Sequence, residues 1–274
     1  MNEFNTIGII GGTGWLGRSI AAALLDIGFL PGNALTISGR SATPKDIPAP
    51  LAAAHYTSDN QSLVQRSDVI ILSVRPEDLH AVQIDAGSKL LISLVAGASM
   101  QEIETHTGST RTIRAMPNAA LEIRRAYTPW FANAQVDAAA KSFVQRLFEA
   151  CGEADEVGSE SDLNYLTALS GTGPAYPALL AQALHRHAIA QGLPDRIARR
   201  AVQGVVVGAS QLMSADRGFE DLLAALRAYR GVSAAGIDGM LAAGFEESVN
   251  AGLQQAAATA NSALATATRP DGKR

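Results

Sequence analysis

Residues 7–17 read Ile7-Gly8-Ile9-Ile10-Gly11-Gly12-Thr13-Gly14-Trp15-Leu16-Gly17. The run from Ile7 to Ile10 has the apolar continuity of a buried parallel strand. It leads into Gly11, Gly14 and Gly17, spaced every three residues. A helical period follows, with Leu16, Ile20, Leu24 and Ile27 on one face. Strand, glycine turn and helix in that order lay a pyrophosphate on a helix N-terminus. The glycines admit positive φ and close backbone approach, and free N–H groups with the helix dipole hold the anion. A dinucleotide site is expected, with Gly11, Gly12, Thr13, Gly14, Trp15 and Leu16 forming its phosphate turn.

The end of the second strand separates the two common dinucleotides. An NAD-type site places Asp or Glu about 20 residues past the glycines, on the ribose 2′-hydroxyl. Here the strand Ala34 to Ile37 runs into Ser38-Gly39-Arg40-Ser41, with no acid. Two hydroxyls and a guanidinium suit a 2′-phosphate, which Arg binds bidentately. The expected cofactor is NADP(H), with Ser38, Arg40 and Ser41 around that phosphate. A solvated loop arginine is the alternative for Arg40 taken alone.

Composition narrows the class. A chain of 274 residues allows one large or two modest domains, and 47% hydrophobic residues supply a sizeable core. The net charge is −4, without a basic block, so nucleic acid and anionic membrane are not expected partners, and a small-molecule substrate is. Cys151 is the only cysteine, so no internal disulfide forms. It fits a reducing cytoplasm and reads as a small core residue. The first strand starts without a signal peptide, and no apolar run reaches transmembrane length. His55, His80, His106, His185 and His187 form no HExxH or Cys/His cluster, so no metal is expected.

The first half alternates strands and helices, as a doubly wound sheet does. A short segment at His55 to Thr57 precedes a helix over Asp59 to Arg66 and a strand over Asp68 to Ser73, which ends at Val74-Arg75-Pro76. Lys89 to Val95 is the next strand, and Ser99 with Glu102 forms a capping box. Arg111 to Met116 and Tyr127 to Ala132 read as strands, and Val136 to Ala150 as a helix. Around Val157 the pattern changes to Ala-rich helices, broken at Gly171-Thr172-Gly173-Pro174, Gly192-Leu193-Pro194 and Gly231. The expected fold is α/β: an N-terminal Rossmann-type doubly wound sheet over 1–157 and a C-terminal all-helical domain over 158–268. The chain from Thr266 on, and 269–274 in particular, reads as a disordered tail. Helices this rich in Ala, Leu and Val carry apolar residues on several faces, as at Val202, Val205, Val206, Leu212, Leu222 and Leu226. A homodimer, or a higher oligomer built on it, is the expected outlet.

With those segments placed, the chain resembles the pyrroline-5-carboxylate reductase family over nearly its full length. Thr167 to Tyr176, read as TALSGTGPAY, is close to the family's TALSGSGPAY. Gly192-Leu193-Pro194 matches its GLP, Met116-Pro117-Asn118 its MPN, and Val74-Arg75-Pro76 its V-[KR]-P. The resemblance implies NADPH-dependent reduction of a cyclic imine, 1-pyrroline-5-carboxylate to proline. It adds Asn60, Val74, Arg75, Pro76, Ala96 and Asn118 to the cofactor residues.

The departures are specific. The glycine turn is one residue longer than GxGxxG, a form similar to F420-dependent NADP oxidoreductases. Ala120 and Ala126 replace a Pro and a Gly. The family's substrate loop, [ST]-S-P-G-G-[AT]-T, aligns with Arg227-Ala228-Tyr229-Arg230-Gly231-Val232-Ser233. Gly231 is retained, and Ser233 keeps a hydroxyl where the family's last Thr reaches the ring nitrogen. Ser233 is the candidate catalytic residue, and a helix N-cap is its alternative role. Arg227, Arg230, Gly231, Val232 and Ser233 are the candidate substrate residues; the two arginines either grip a carboxylate or form surface salt bridges. A β-hydroxyacid dehydrogenase is set aside because 158–268 holds no lysine. Two alternatives stay beside the family reaction: reduction of another imine or a carbonyl with NADPH, and an NADP-binding protein without catalysis.

Overall fold

The structure, a computed structural model, describes residues 4–41, 46–213 and 218–267, with side chains as far as residue 261. The described residues fall into two compact units. One comprises the chain up to Thr172 together with the chain from Ala256, and the other is Gly173–Gln255.

The first unit is built on an eight-stranded sheet. Its strands are β1 (Ile7–Ile10), β2 (Leu35–Ser38), β3 (His55–Thr57), β4 (Val69–Leu72), β5 (Leu90–Ser93), β6 (Arg111–Ala115), β7 (Ala126–Ala132) and β8 (Gly152–Glu156). They lie in the order β3-β2-β1-β4-β5-β6-β7-β8. Pairing is parallel from β3 to β6, β7 runs antiparallel to β6, and β8 is parallel to β7. The helices are α1 (Trp15–Asp26), α2 (Asn60–Gln65), α3 (Met100–Thr107), α4 (Ala138–Glu149) and α5 (Glu160–Leu166).

The apolar runs in β1 and β4 follow from burial on both sheet faces. Ile7, Ile9, Val69 and Ile71 pack in one core with Ile20 and Leu24 of α1 and Phe143 and Leu147 of α4. Ile10, Ile70 and Leu72 pack in the other with Leu63 of α2 and Ile103 of α3. Cys151 is fully buried, and burial pushes its thiol up to about 12, which leaves a small, inert core residue.

β8 has no counterpart in the sequence reading. Gly152 to Glu156 carries three acids, and only Ala154 is buried, so neither an apolar run nor a clean alternation marks it. It is an edge strand, and its charges suit an edge. The capping box at α3 is half made: Ser99 Oγ accepts from the Glu102 amide at 3.2 Å, whereas Glu102 Oε2 is buried without a partner.

Charged clips close the sheet's ends. Asp68 Oδ2 accepts from the Asn5 amide, the Thr6 amide and the Thr6 hydroxyl, each at 2.9 Å, and so fixes the entry to β1 beside β4. Burial disfavours the ionised Asp68, but those donors outweigh it and hold its carboxyl below the ordinary range. Lys89 Nζ donates to the carbonyls of Val64, Gln65 and Ser67, which completes the C-terminal end of α2.

The largest buried charge is Arg114 on β6, 1% exposed. Its Nη1 donates to Glu160 Oε1 at 2.5 Å and to Asn164 Oδ1 at 3.2 Å, both on α5. The same Glu160 oxygen accepts from the Met100 amide at 2.6 Å, so one carboxylate joins β6, α3 and α5. Burial lowers the Arg114 pKa, and Glu160 opposes the shift.

The second unit is helical: α6 (Ala175–Ala190), α7 (Asp195–Gln203), α8 (Phe219–Ala228), α9 (Val232–Ala242) and the first part of α10 (Phe245–Ala267). Thr266 and Ala267 are therefore helical rather than tail, and 268–274 lie outside the described residues. π-helical turns occur at Thr167–Gly171, in the first unit, and at Gly204–Gly208. Asp195 joins α7 to α6 through His185 Nε2 at 2.9 Å and bonds Arg199 Nε at 2.7 Å. Among the described residues of α6 to α9, Ala198 alone is buried. Leu179, Val205, Leu212 and Phe219 are all more than half exposed in the single chain. Among the described residues no helix is long and apolar enough to cross a membrane, and no group of three His, Cys, Asp or Glu is placed to hold a metal.

Replacing Arg114 with Met should cost about 3 kcal/mol, because Glu160 is left without its buried partner. Thermal unfolding should fall by roughly 6–12 °C. An unchanged melting temperature would show that the contacts of Arg114 with Glu160 and Asn164 contribute nothing to stability.

Candidate functional site

At the C-terminal ends of β1, β2 and β4 the sheet opens into a cleft of about 700 Å³. This is the edge at which ligands bind in open α/β sheets. The glycine turn after β1, the Ser38–Ser41 turn after β2 and the Ser73–Arg75 turn after β4 line it, together with Ser58 and Asn60 after β3 and with Asp78, Ala81 and Val82.

The glycine turn is shaped by backbone geometry. Gly11 sits at φ 74°, and a Cβ there would collide with the Ser73 carbonyl oxygen. The Gly14 amide closes the turn on Gly11 O at 2.9 Å. Gly14 then caps α1 without a side chain, so the first-turn amides of Trp15 and Leu16 have no side-chain cap and suit an anion. A Cβ on Gly17 would lie 2.6 Å from Gly12 Cα, so the third glycine lets the helix close onto the turn. The donor set and the space fit a pyrophosphate.

The far end of the cleft carries Ser38, Gly39, Arg40, Ser41, Ser58 and Asn60. Ser38 is fully buried, and its hydroxyl donates to Asn60 Oδ1 at 2.7 Å. That bond leaves the Asn60 amide nitrogen as the donor to the cleft. Asn60 opens α2, which Asp59 caps by accepting from the Gln61 and Ser62 amides. Arg40 is 93% exposed, with Asp78 Oδ2 3.7 Å from its Nη2, and Arg75 lies 3.7 Å from Glu77. These acids stand in the 3₁₀ turn Pro76–Ala81, which Pro76 opens.

Of the expected cofactor residues, Gly11, Thr13, Gly14, Ser38, Arg40, Ser41, Asn60, Val74 and Arg75 line this one cleft. The others do not reach it with their side chains. Gly12 packs against Ile9 and Ile37, and Leu16 against the core. The Trp15 indole donates to Glu122. Pro76 is spent in starting its turn, and Ala96 follows β5 on an exposed bend. Asn118 caps the 3₁₀ turn Ala119–Ile123 by accepting from the Ala120 amide at 3.0 Å. Asp78 and Ser58 line the cleft and escaped the sequence reading. No motif marks them, and Asp78 reaches the cleft from a different element.

The candidate substrate residues lie in the helical unit, from the last turn of α8 across the connecting turn to the first turn of α9. Tyr229 caps α8 at φ −64°, and Arg230 and Gly231 follow at φ 49° and 114°. Gly231 is the N-cap of α9, with Val232 and Ser233 in the first turn. Ser233 is therefore not the N-cap, and its alternative role falls away. Arg227 Nη2 bonds Asp238 Oδ1 at 2.6 Å, so it is the salt-bridged reading that the structure presents for Arg227. Tyr229 and Val232 are 89% and 93% exposed in the single chain.

Comparison with known proteins matches two separate segments of the chain. Residues 160–263 match the family profile for pyrroline-5-carboxylate reductase dimerisation, and residues 6–97 match that for NADP oxidoreductase, coenzyme F420-dependent. The second match accords with the lengthened glycine turn. A pyrroline-5-carboxylate reductase of Pseudomonas aeruginosa is 32% identical over 74% of this chain and 77% of its own. One from Synechocystis is 30% identical over 76% of this chain and 78% of its own. The solved structure of a pyrroline-5-carboxylate reductase from Coxiella burnetii superposes with a TM-score of 0.82 at 28% identity, covering 96% of this chain and 99% of that one. With that identity, that coverage and the cleft geometry in agreement, the chain belongs to the pyrroline-5-carboxylate reductase family.

Proposed function

We propose that the protein reduces a cyclic imine with NADPH, converting 1-pyrroline-5-carboxylate to proline. The observation that carries this reading is the cleft at the end of β1. It joins a phosphate turn to Ser38, Arg40 and Ser41, with no acid at the end of β2. Bound there, NADPH supplies the hydride.

The chain's own residues bind and orient. The amides after Gly14 hold the pyrophosphate, Arg40 and Ser41 take the 2′-phosphate, and Ser38 acts through Asn60 by fixing its amide. Val74 and Arg75 flank the cofactor. Imine reduction asks for little beyond orientation, because an iminium carbon already accepts hydride readily. At the substrate, the α9 amides of Val232 and Ser233, with Arg230, hold the carboxylate. The Ser233 hydroxyl meets the ring nitrogen and supports its protonated form. Arg227 stays with Asp238 and is not assigned to substrate.

A second reading rests on one observation. Tyr229 and Arg230 replace the family's Pro-Gly, and Arg230 holds a positive φ that glycine adopts without strain. A bulkier loop favours a larger imine or a carbonyl compound as substrate.

We also infer that two copies pair through the helical unit, whose apolar residues are left open in one chain. The buried single thiol suits a reducing cytoplasm.

Titration with both cofactors should give a preference for NADPH over NADH of at least about tenfold, and Arg40→Ala should erode it by about 1–3 kcal/mol. Equal affinity for the two in the wild type would contradict the assignment. Light scattering at micromolar concentration should report a dimer or a multiple of it, and a monomer would remove the pairing. Turnover of 1-pyrroline-5-carboxylate should be present but poor. Tyr229→Pro with Arg230→Gly should raise it, and Ser233→Ala should lower it by about 1 kcal/mol or more of transition-state stabilisation. Efficient wild-type turnover that the restored loop worsens would make the present loop a working proline pocket and retire the second reading.

A further inference from the structure

We propose that Asp78 is a specificity-determining residue of the cofactor cleft: it competes with the 2′-phosphate for Arg40 and so sets how strongly the phosphorylated cofactor is preferred. The inference rests on the NADP(H) reading above and goes beyond it, because it assigns a role to a carboxylate that neither the glycine turn nor the Ser38–Ser41 turn contains.

Arg40 enters the cleft from the turn after β2, and Asp78 enters from the 3₁₀ turn Pro76–Ala81; both line the same space. Their charged ends stand 3.7 Å apart, with the Arg40 side chain 93% and the Asp78 side chain 43% exposed. An ion pair that open to solvent holds weakly. A phosphate that engages the guanidinium with two parallel hydrogen bonds therefore displaces the carboxylate from it. The backbone that carries Asp78 is held at the cleft by Pro76 and by the buried Leu79, which keeps the carboxylate near the bound phosphate.

The neighbouring pair repeats the arrangement. Arg75 is matched by Glu77, the residue before Asp78, again at 3.7 Å. Among the residues that line the cleft two arginines, Arg40 and Arg75, face one acid, Asp78, which offsets part of the positive charge that a phosphate dianion would draw on. A 2′-phosphate gains Arg40 but has to release it from Asp78 and then stays near that charge. A ribose 2′-hydroxyl meets no such cost and finds an acceptor, the kind of group that NAD-type sites provide at the end of the second strand and β2 lacks.

The test is equilibrium binding of NADP⁺ and NAD⁺, by calorimetry, to the full-length protein and its variants. Asp78→Asn should tighten NADP⁺ by roughly three- to tenfold, while NAD⁺ is unchanged or weakened. Asp78→Ser should act in the same direction, which separates loss of charge from any local effect of the amide. Raising the salt concentration should shrink the difference between variant and wild type. In an Arg40→Ala background the gain should be smaller, because no guanidinium remains to be released. An NADP⁺ affinity unchanged in both Asp78 variants overturns the proposal. So does an equal shift for the two nucleotides, or an equal gain with and without Arg40. If the wild type binds neither nucleotide, the cofactor reading itself fails, and the proposal with it.

Discussion

The structure turns on a backbone clearance at Gly11. The chain leaves β1 at φ 74° and passes so close to the end of β4 that a Cβ on Gly11 would strike the Ser73 carbonyl. Any other residue would force the turn away from β4, and the first-turn amides of α1 would swing with it. Those amides have no side-chain cap from Gly14, and the proposed anion site rests on them. The third glycine, Gly17, meets the Gly12 backbone at a distance no side chain tolerates. The close packing of the glycine turn against β4 and of α1 against that turn both depend on these glycines.

Much of this was legible because it depends on local order. The Ile7–Ile10 and Val69–Leu72 runs are apolar without alternation since each strand is covered on both faces, and glycines between strand and helix have few other uses. The missing acid after β2 was equally local. What could not be read depends on contacts between distant residues. Arg114 looked like any strand residue, yet it is buried against Glu160 and Asn164, 46 and 50 positions away. Ser38 read as a phosphate ligand, and its hydroxyl is given to Asn60. Asp78 carried no signal because its partner Arg40 lies on another turn. β8 was missed because an acidic edge strand resembles a loop in composition.

The helical unit carries a different constraint. Its helices were recognised from their Ala- and Leu-rich pattern, but pattern alone does not say what the apolar residues face. In one chain they face solvent: Leu179, Val205 and Phe219 are open, and Ala198 alone is buried among the described residues of α6 to α9. Such a surface is unfavourable in water until it is covered, which ties the stability of this unit to association. The turn between α8 and α9 lies within the same unit. There the sequence left Arg227 with two roles, and the 2.6 Å bond to Asp238 supplies a partner. Arg230 keeps its place ahead of the α9 amides, in a backbone conformation that glycine holds more easily.

The central claim is that this chain delivers a hydride from NADPH to the imine carbon of 1-pyrroline-5-carboxylate. The most direct measurement follows the hydrogen itself. Purified protein is supplied with that imine and with NADPH deuterated at the transferred position, and the product is analysed by mass spectrometry. The account predicts proline carrying a single deuterium on the carbon that was double-bonded to nitrogen. Proline without deuterium, or no proline while the protein binds NADPH, would contradict it.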